Sequence, residues 1–385
     1  KDGFTYALDN AGNITRIQQV VDGSTTGYWY YTYDNRYRLV TGERKDSSNT
    51  LVKRYSYTYD AGDNILTKLI YTQSSGTTVT NAYTYDNANE LITWYLSSAG
   101  TYAMAYDDWG RMTQSTMGSD TWDYSYRYGG KFYGFTSSTG SDTVYDYRGD
   151  GMRWKRSVDG TWANVYYWDD NYTVVNEQQN GSPNHQFTYI GRTLAHRDLN
   201  VSTQAVTWTY YYGDKIGSTR RLRDSAKSSV AQFEFDPYGL FYAQSGTTSA
   251  TTHLYAGLDY DSVGAFHFAP YRTYKGHWGR WFSRDPLGMV DGPNMYAYVR
   301  ENPVNSIDVL GKSCGPGDGI GDRLVPDKIL ADFTDCCTKH DNCYKCGTHD
   351  NGERKKRKEC DDEFLTCMRD ACDDQLVEPA KTLCH

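Results

Sequence analysis

"YTYDNRYRLV", residues 31 to 40, decides the fold because it returns: "YTYDAGDNIL" occupies 57 to 66 and "YTYDNANELI" 83 to 92. A looser "YALDNAGNIT" precedes them and "MAYDDWGRMT" follows. The aspartates stand at 9, 34, 60, 86 and 107, separated by 25, 26, 26 and 21 residues. Each unit alternates aromatic and polar residues before its aspartate, as at Tyr83 and Tyr85, passes through an Asp, Asn or Gly turn, and resumes with an apolar residue such as Leu91. Period-two alternation on both sides of turn-forming residues predicts a β-hairpin. A single hairpin cannot bury its apolar face, so the units are expected to stack edge to edge into one extended sheet.

Composition agrees. The 385 residues, enough for two or more domains, include 37 tyrosines and 36 glycines but only 9 prolines, with a mean hydropathy of -0.75. Such aromatic, Gly-rich sequence with little Leu or Ala predicts a mainly β chain with many tight turns. No stretch approaches the roughly 20 apolar residues that span a bilayer, and "KDGFTYALDN" lacks a signal-peptide pattern. A start in mid-pattern predicts a piece of a longer chain. All nine cysteines lie between Cys314 and Cys384, whereas 36 of the tyrosines and all ten tryptophans precede position 314. From 314 onward 16 acidic residues face 11 basic ones, a net of -5, which leaves -3 of the total -8 for the first 313. Neither part has the basic excess of a nucleic-acid binder, so no nucleic-acid partner is expected. Two physically different objects meet near "DVLGKS".

The repeats resemble the YD repeats of the Rhs family, and "YYGDKIGSTRRLRD", "FEFDPYG", "GRWFSRDPLG" and "NMYAYVRENPVNSIDVLG" are similar to its Rhs-associated core. The resemblance implies a β-shell over residues 1–250, a closing segment over 251–312 and an enclosed C-terminal toxin over 313–385. It also implies that Asp285, in "RDP", and Asp308, in the final phrase, form an aspartyl protease that releases the toxin after Lys312. The last phrase departs from the family pattern. Val309 stands where proline is usual, and Lys312 where a hydrophobic residue precedes the cut. Aspartates before Pro or Gly are also ordinary turn residues. A repeat sheet serving as an adhesive or structural surface is the alternative to a shell.

The tail admits three readings. "CYKC" supplies one C-x-x-C, with Cys336, Cys337, His340 and Cys360 nearby, yet zinc sites of this kind need paired knuckles. Small Cys-dense domains are commonly disulfide scaffolds without catalysis. The third reading is an enzyme. If "FTDCCTKHDNCYKC" is a helix opened by Thr334 or Asp335, then Cys336, His340 and Cys343 share a face. "CDDEFLTCMRDAC" is a second helical pattern. The seven-residue spacing of Cys336 and Cys343 matches that of Cys360 and Cys367, so two antiparallel helices would align Cys336 with Cys367 and Cys343 with Cys360. That alignment sets Asp361 beside His340, where a carboxylate fixes an imidazole tautomer. In "CGPGDG" a Cys314–Cys337 bond would bring loop carbonyls one helical turn from Asp341, a hard-oxygen set that favours calcium.

"CCTKHDNCY" is similar to the CCxxHDxC helix of secreted phospholipase A2, "CGPG" to its calcium loop, and Asp361 to the aspartate of its His–Asp dyad, with "CYKCG" and "CDDEF" closest to the group XII-like branch. The resemblance implies a small helical, disulfide-rich domain that hydrolyses the sn-2 ester of phospholipids. In it His340 is the general base, oriented by Asp361, with Tyr344 hydrogen-bonded to that aspartate. Ca²⁺ is held by Asp341 and carbonyls of Ser313, Gly315 and Gly317, and the Gly315 N–H supports the oxyanion. A fourth bond, Cys346–Cys372, is expected, with Cys384 left over. Cys314 and Cys336 lie farther apart than in the familiar branches. The expected partners are a phospholipid membrane, an immunity protein and a secretion machinery, and the expected place of action is outside the producing cell or inside a target cell. The competing reading is a repeat-based surface-binding or structural protein with a catalytically inactive tail.

Overall fold

The computed structural model describes residues 2–312, apart from 128, 170–173, 181–183, 190–192, 200–202 and 290–291, together with Thr366. The tail over 313–385 otherwise lies outside the described residues, so neither its two expected helices nor its cysteine pairs enter the fold below.

One 22-stranded sheet runs from β1 (Gly3–Leu8) to β22 (Phe241–Gly246). Each strand pairs antiparallel with the one before and the one after it, as β3 (Ser24–Tyr33) pairs β4 (Leu39–Asp46), β5 (Leu51–Tyr59) pairs β6 (Ile65–Thr72), and β7 (Thr77–Tyr85) pairs β8 (Leu91–Leu96). The hairpins expected from the repeats are these pairs, and they stack edge to edge as one meander. Alternation sorts the side chains. Tyr31, Tyr57 and Tyr83 are buried, whereas Thr32, Thr58 and Thr84 face outward and pair with Thr41, Thr67 and Thr93 across each hairpin at 2.6 Å.

A single turn design recurs. The ladder shifts register just before the aspartate, between Thr32 and Tyr33 for instance. One oxygen of Asp34 then accepts the amides of Arg36 and Arg38, and Asp86 does the same for Ala88 and Glu90. The chain reverses through a left-handed residue three places after the aspartate: Gly12, Tyr37, Asp63, Asn89 and Gly110 all have positive φ. Glycine, Asn and Asp tolerate that region because little side chain meets the following carbonyl; Tyr37 is the exception.

The tyrosine before the aspartate sets the pitch from hairpin to hairpin in the three closest repeats: Tyr33 donates to the Ile14 carbonyl, Tyr59 to Leu39 and Tyr85 to Ile65 at 2.8 Å. Tyr126, which precedes Arg127, makes the same bond to Met112 at 2.8 Å, while Tyr106 accepts the Leu91 amide. In every case the partner residue opens the second strand of the preceding unit. The repeat is therefore held by its own signature residues, aspartate within a hairpin and tyrosine between hairpins.

The meander also closes on itself through side chains. Arg223 of β20 (Thr219–Asp224) meets Asp2 and Asp22, Gln19 donates to Glu234, Arg44 to Tyr242, and Lys68 pairs with Asp236. Residues after Gly246 fill the enclosed side. A second, four-stranded sheet from β23 (Asp259–Asp261) to β26 (Arg280–Trp281) packs Phe266 and Phe282 against Tyr124 and Phe132. The main chain is tied as well: Met112 donates to the Phe282 carbonyl, Tyr83 to that of His277, and Ile14 N–H to Asn305. Among the described residues no helix is long and apolar enough to cross a membrane.

Candidate active site

The carboxyl groups of Asp285 and Asp308 are both buried, and both residues belong to the turn family just described. Gly288 and Gly311, three places after each, have positive φ. Asp285 Oδ1 accepts the Leu287 amide at 2.8 Å, and Asp308 Oδ1 accepts those of Gly311 and Lys312 at 2.8 and 2.9 Å. Their second oxygens converge. Arg272 Nη2 lies 2.6 Å from Asp285 Oδ2 and 2.8 Å from Asp308 Oδ2, and the three side chains are 2%, 7% and 2% exposed in the order Arg272, Asp285, Asp308. The turn role and the paired-carboxylate role, which the sequence poses as alternatives, are thus carried by different oxygens of the same two groups.

Arg272 is fixed on every side. Its Nε donates to the Gly311 carbonyl, Nη1 donates to Met295 at 3.2 Å, and the guanidinium lies 4.4 Å above Trp281. Backbone pairing of Tyr271 with Leu310 brings the last described segment alongside. Lys312, the residue before the expected cut, lays its ammonium 4.1 Å from the centre of the Tyr271 ring, which Lys131 also approaches at 4.5 Å. A long side chain is accommodated there by its stem and by cation–π contact. Val309 is partly exposed.

Burial is the largest influence on both carboxyls and raises them above the ordinary carboxylate value, while Arg272 opposes it. The charge of Asp308 also raises Asp285. Burial, followed by the charge of Lys312, lowers Lys131 to about 8.

The structure brings Asp285 and Asp308 together on Arg272, a residue that sequence reasoning misses. The arginine adjacent to Asp285, Arg284, points to the shell wall instead, bonding Tyr296 and Glu90. The one available signal is an arginine set among aromatic residues, in "YRTY". His340, Asp361, Tyr344, Asp341, Ser313, Gly315, Gly317 and the cysteines lie outside the described residues. Among the described residues no cluster of His, Cys, Asp or Glu is placed to hold a metal.

No protein-family model matches the chain. It is 33% identical over 119 residues to toxin subunit YenC1 of Yersinia entomophaga, covering 30% of this chain and 12% of that protein. It is 24% identical over 346 residues to double-stranded DNA deaminase toxin A of Burkholderia cenocepacia, covering 80% of this chain and 22% of that protein. The chain therefore spans less than a quarter of the length of either relative. The crystal structure of TcdB2-TccC3 superposes with a TM-score of 0.64 at 21% identity, over 80% of this chain and 17% of that one. The relatives include toxins of the Tc and Rhs type, and the β-sheet of this chain has the fold of the shell seen in TcdB2-TccC3.

Proposed function

We propose that this chain is the closing part of a toxin shell that severs its own C-terminal segment and thereby frees a calcium-dependent phospholipase A2. The observation that supports the cutting step is the convergence of Asp285 and Asp308 on one guanidinium nitrogen, next to the last described residues before the tail. One arginine charge set against two carboxylates leaves a buried net charge, which a low-dielectric site disfavours. Retaining one proton on the pair removes it and leaves one carboxylate and one acid, the two roles that water-driven peptide hydrolysis needs. The carboxylate takes a proton from water as the water oxygen bonds to the Lys312 carbonyl carbon. The acid protonates the carbonyl oxygen, and the C–N bond to Ser313 then breaks as its nitrogen takes up a proton. The hydrogen bond from the Lys312 amide to Asp308 Oδ1 supports this reading.

The cargo reading rests on the sequence of residues 313–385. Asp341 with the Ser313, Gly315 and Gly317 carbonyls is an all-oxygen donor set that suits Ca²⁺. When bound, the ion polarises an ester carbonyl. His340 takes the proton from water, Asp361 orients the imidazole, Tyr344 orients Asp361, and the Gly315 N–H receives the developing oxyanion. The name of the DNA deaminase relative favours a second reading, a cargo that acts on nucleic acid.

The test uses the whole chain incubated with mixed phosphatidylcholine and phosphatidylglycerol vesicles, in calcium or in excess chelator, with duplex DNA and tRNA as parallel substrates. Calcium-dependent fatty-acid release that follows the appearance of a small C-terminal fragment, and that Asp308→Asn suppresses, is expected. Release that persists in chelator overturns the phospholipase reading. Base conversion or strand loss in the DNA or tRNA arms favours the second.

A further inference from the structure

Lys68 and Asp236 are 168 residues apart in sequence and meet where the early strands of the meander come against its end. Lys68 Nζ lies 2.6 Å from Asp236 Oδ2, and the two side chains are 3% and 1% exposed. Tyr57 and Asn81 flank Lys68 on the neighbouring strands, and the Tyr57 ring packs 5.1 Å from that of Tyr238. The pair is therefore enclosed by aromatic rings with water excluded. Of the side-chain contacts that close the sheet, Gln19–Glu234 pairs an amide with a carboxylate, Arg44–Tyr242 a guanidinium with a hydroxyl and Arg223–Asp2 a guanidinium with a carboxylate. Lys68–Asp236 sets a primary amine against a carboxyl.

Asp236 is also a turn aspartate. Its Oδ1 accepts the amides of Tyr238 and Leu240, each at 2.9 Å. Those two donors face the oxygen on which negative charge would gather if the carboxyl carbon were attacked, an arrangement of the oxyanion-hole kind. Oδ2 has no part in the turn, so its departure leaves the turn intact. The Tyr57 hydroxyl is buried and without a hydrogen-bond partner among the described residues. Burial, then the Asp236 charge, raises it well above its ordinary value, so it remains a protonated group beside the pair.

From this geometry we propose that Lys68 and Asp236 condense into an intramolecular isopeptide bond that locks the closed sheet. A proton first crosses from the ammonium to the carboxylate, giving the neutral amine and neutral acid that the condensation requires. The Nζ lone pair then bonds to Asp236 Cγ, and the Cγ–Oδ2 bond breaks. Oδ2 leaves as water, carrying the acid proton and one amine proton. The amide that remains keeps Oδ1 as its carbonyl oxygen, still bonded to Tyr238 and Leu240. No oxidant or activated donor is required, because fixed proximity supplies an effective concentration of about 10⁵–10⁸ M.

Intact mass spectrometry of the purified full chain, followed by tryptic mapping, tests the bond. The expected result is a mass one water below that of the sequence, no cleavage after Lys68, and a branched peptide joining Lys68 to Asp236. Lys68→Arg keeps the charge pairing but has no nucleophilic amine, so it should show the full mass. Asp236 precedes Pro237, which has no N–H to close a cyclic imide on that side chain, so loss of water at Asp236 reports the crosslink. A wild-type chain of full mass with normal cleavage after Lys68 overturns the proposal. So does a water loss that fragmentation places in an unbranched peptide, or one that persists in Lys68→Arg. If Lys68→Arg does not fold, the wild-type map decides by itself.

Discussion

Replacing Arg272 with Met removes the charge at the centre of the paired aspartates while keeping most of the side chain's apolar length against Trp281. Four hydrogen-bond acceptors lose a donor: Asp285 Oδ2, Asp308 Oδ2, and the Gly311 and Met295 carbonyls. Removing one partner of a buried ion pair typically costs about 3–5 kcal/mol. The two pairs share one guanidinium, so their losses do not add, and about 3–5 kcal/mol is the expected destabilisation near neutral pH. In the wild type both carboxyls are held above their ordinary value. The stability they contribute is therefore complete below the unfolded-chain value and declines as pH rises through the folded values. Arg272 opposes that rise, so without it both carboxyls climb further and the variant loses most stability at the higher pH. Urea unfolding followed by tryptophan fluorescence should show the wild-type-to-variant gap widest near pH 8 and narrowing toward pH 4. Denaturing gels of the same samples should show no small C-terminal fragment from the variant. A gap below about 1 kcal/mol, or one independent of pH, would refute the charge-sharing argument.

Tyr85→Phe deletes the hydrogen bond to Ile65 and should cost about 1 kcal/mol in urea unfolding; Thr84→Ala on the outward face of the same strand should cost less, and equal losses would deny the tyrosine its pitch-setting role. Burial raises Glu301 to about 8, with the Tyr238 hydroxyl donating to it at 2.6 Å. The fold is thus favoured below the ordinary Glu value and loses this contribution as pH rises toward 8, so Glu301→Gln should gain stability over the wild type with rising pH and match it near pH 4. In the tail, His340→Ala should lower fatty-acid release by about 10²–10⁴-fold with calcium binding retained by isothermal titration. Asp341→Asn should lose both, and Asp361→Asn should slow release less; release that survives His340→Ala removes the histidine from the mechanism.

Much of the shell is legible because its signals are local. Tyr31, Thr32, Tyr33 and Asp34 specify an inward ring, an outward hydroxyl, a link to the previous hairpin and a turn clasp within four positions, and the next repeats restate this. The closure of the sheet is not legible in that way. Asp2 with Arg223, Gln19 with Glu234 and Lys68 with Asp236 join residues of unremarked type across long separations, and only the accumulated twist of many strands brings them together. Arg272 escaped notice for the same reason. It precedes Asp285 along the chain, but its meeting with Asp308 depends on the pairing of Tyr271 with Leu310. The tail presents the opposite case: His340, Asp361 and the cysteines form a dense local motif whose geometry lies outside the described residues.

The turn aspartates share one geometry and differ in the partner of one oxygen. Oδ1 is committed to backbone amides in all of them, so what an individual aspartate does depends on the partner of Oδ2. At Asp9, Asp34, Asp60 and Asp107 that partner is the side chain four places on: Asn13, Arg38, Asn64 and Arg111. In such turns Oδ2 is satisfied locally. At Asp236 and Asp285 the corresponding positions hold Leu240 and Met289, which offer Oδ2 nothing, and at Asp308 the corresponding Lys312 lies over Tyr271. These three aspartates are buried, and an unpaired buried carboxylate oxygen is costly, so each takes a cation from a distant part of the chain: Lys68 for Asp236, Arg272 for Asp285 and Asp308. At these seven aspartates, then, the residue four places on separates the turns that clasp their own Oδ2 from those whose Oδ2 is met by a cation from another part of the chain.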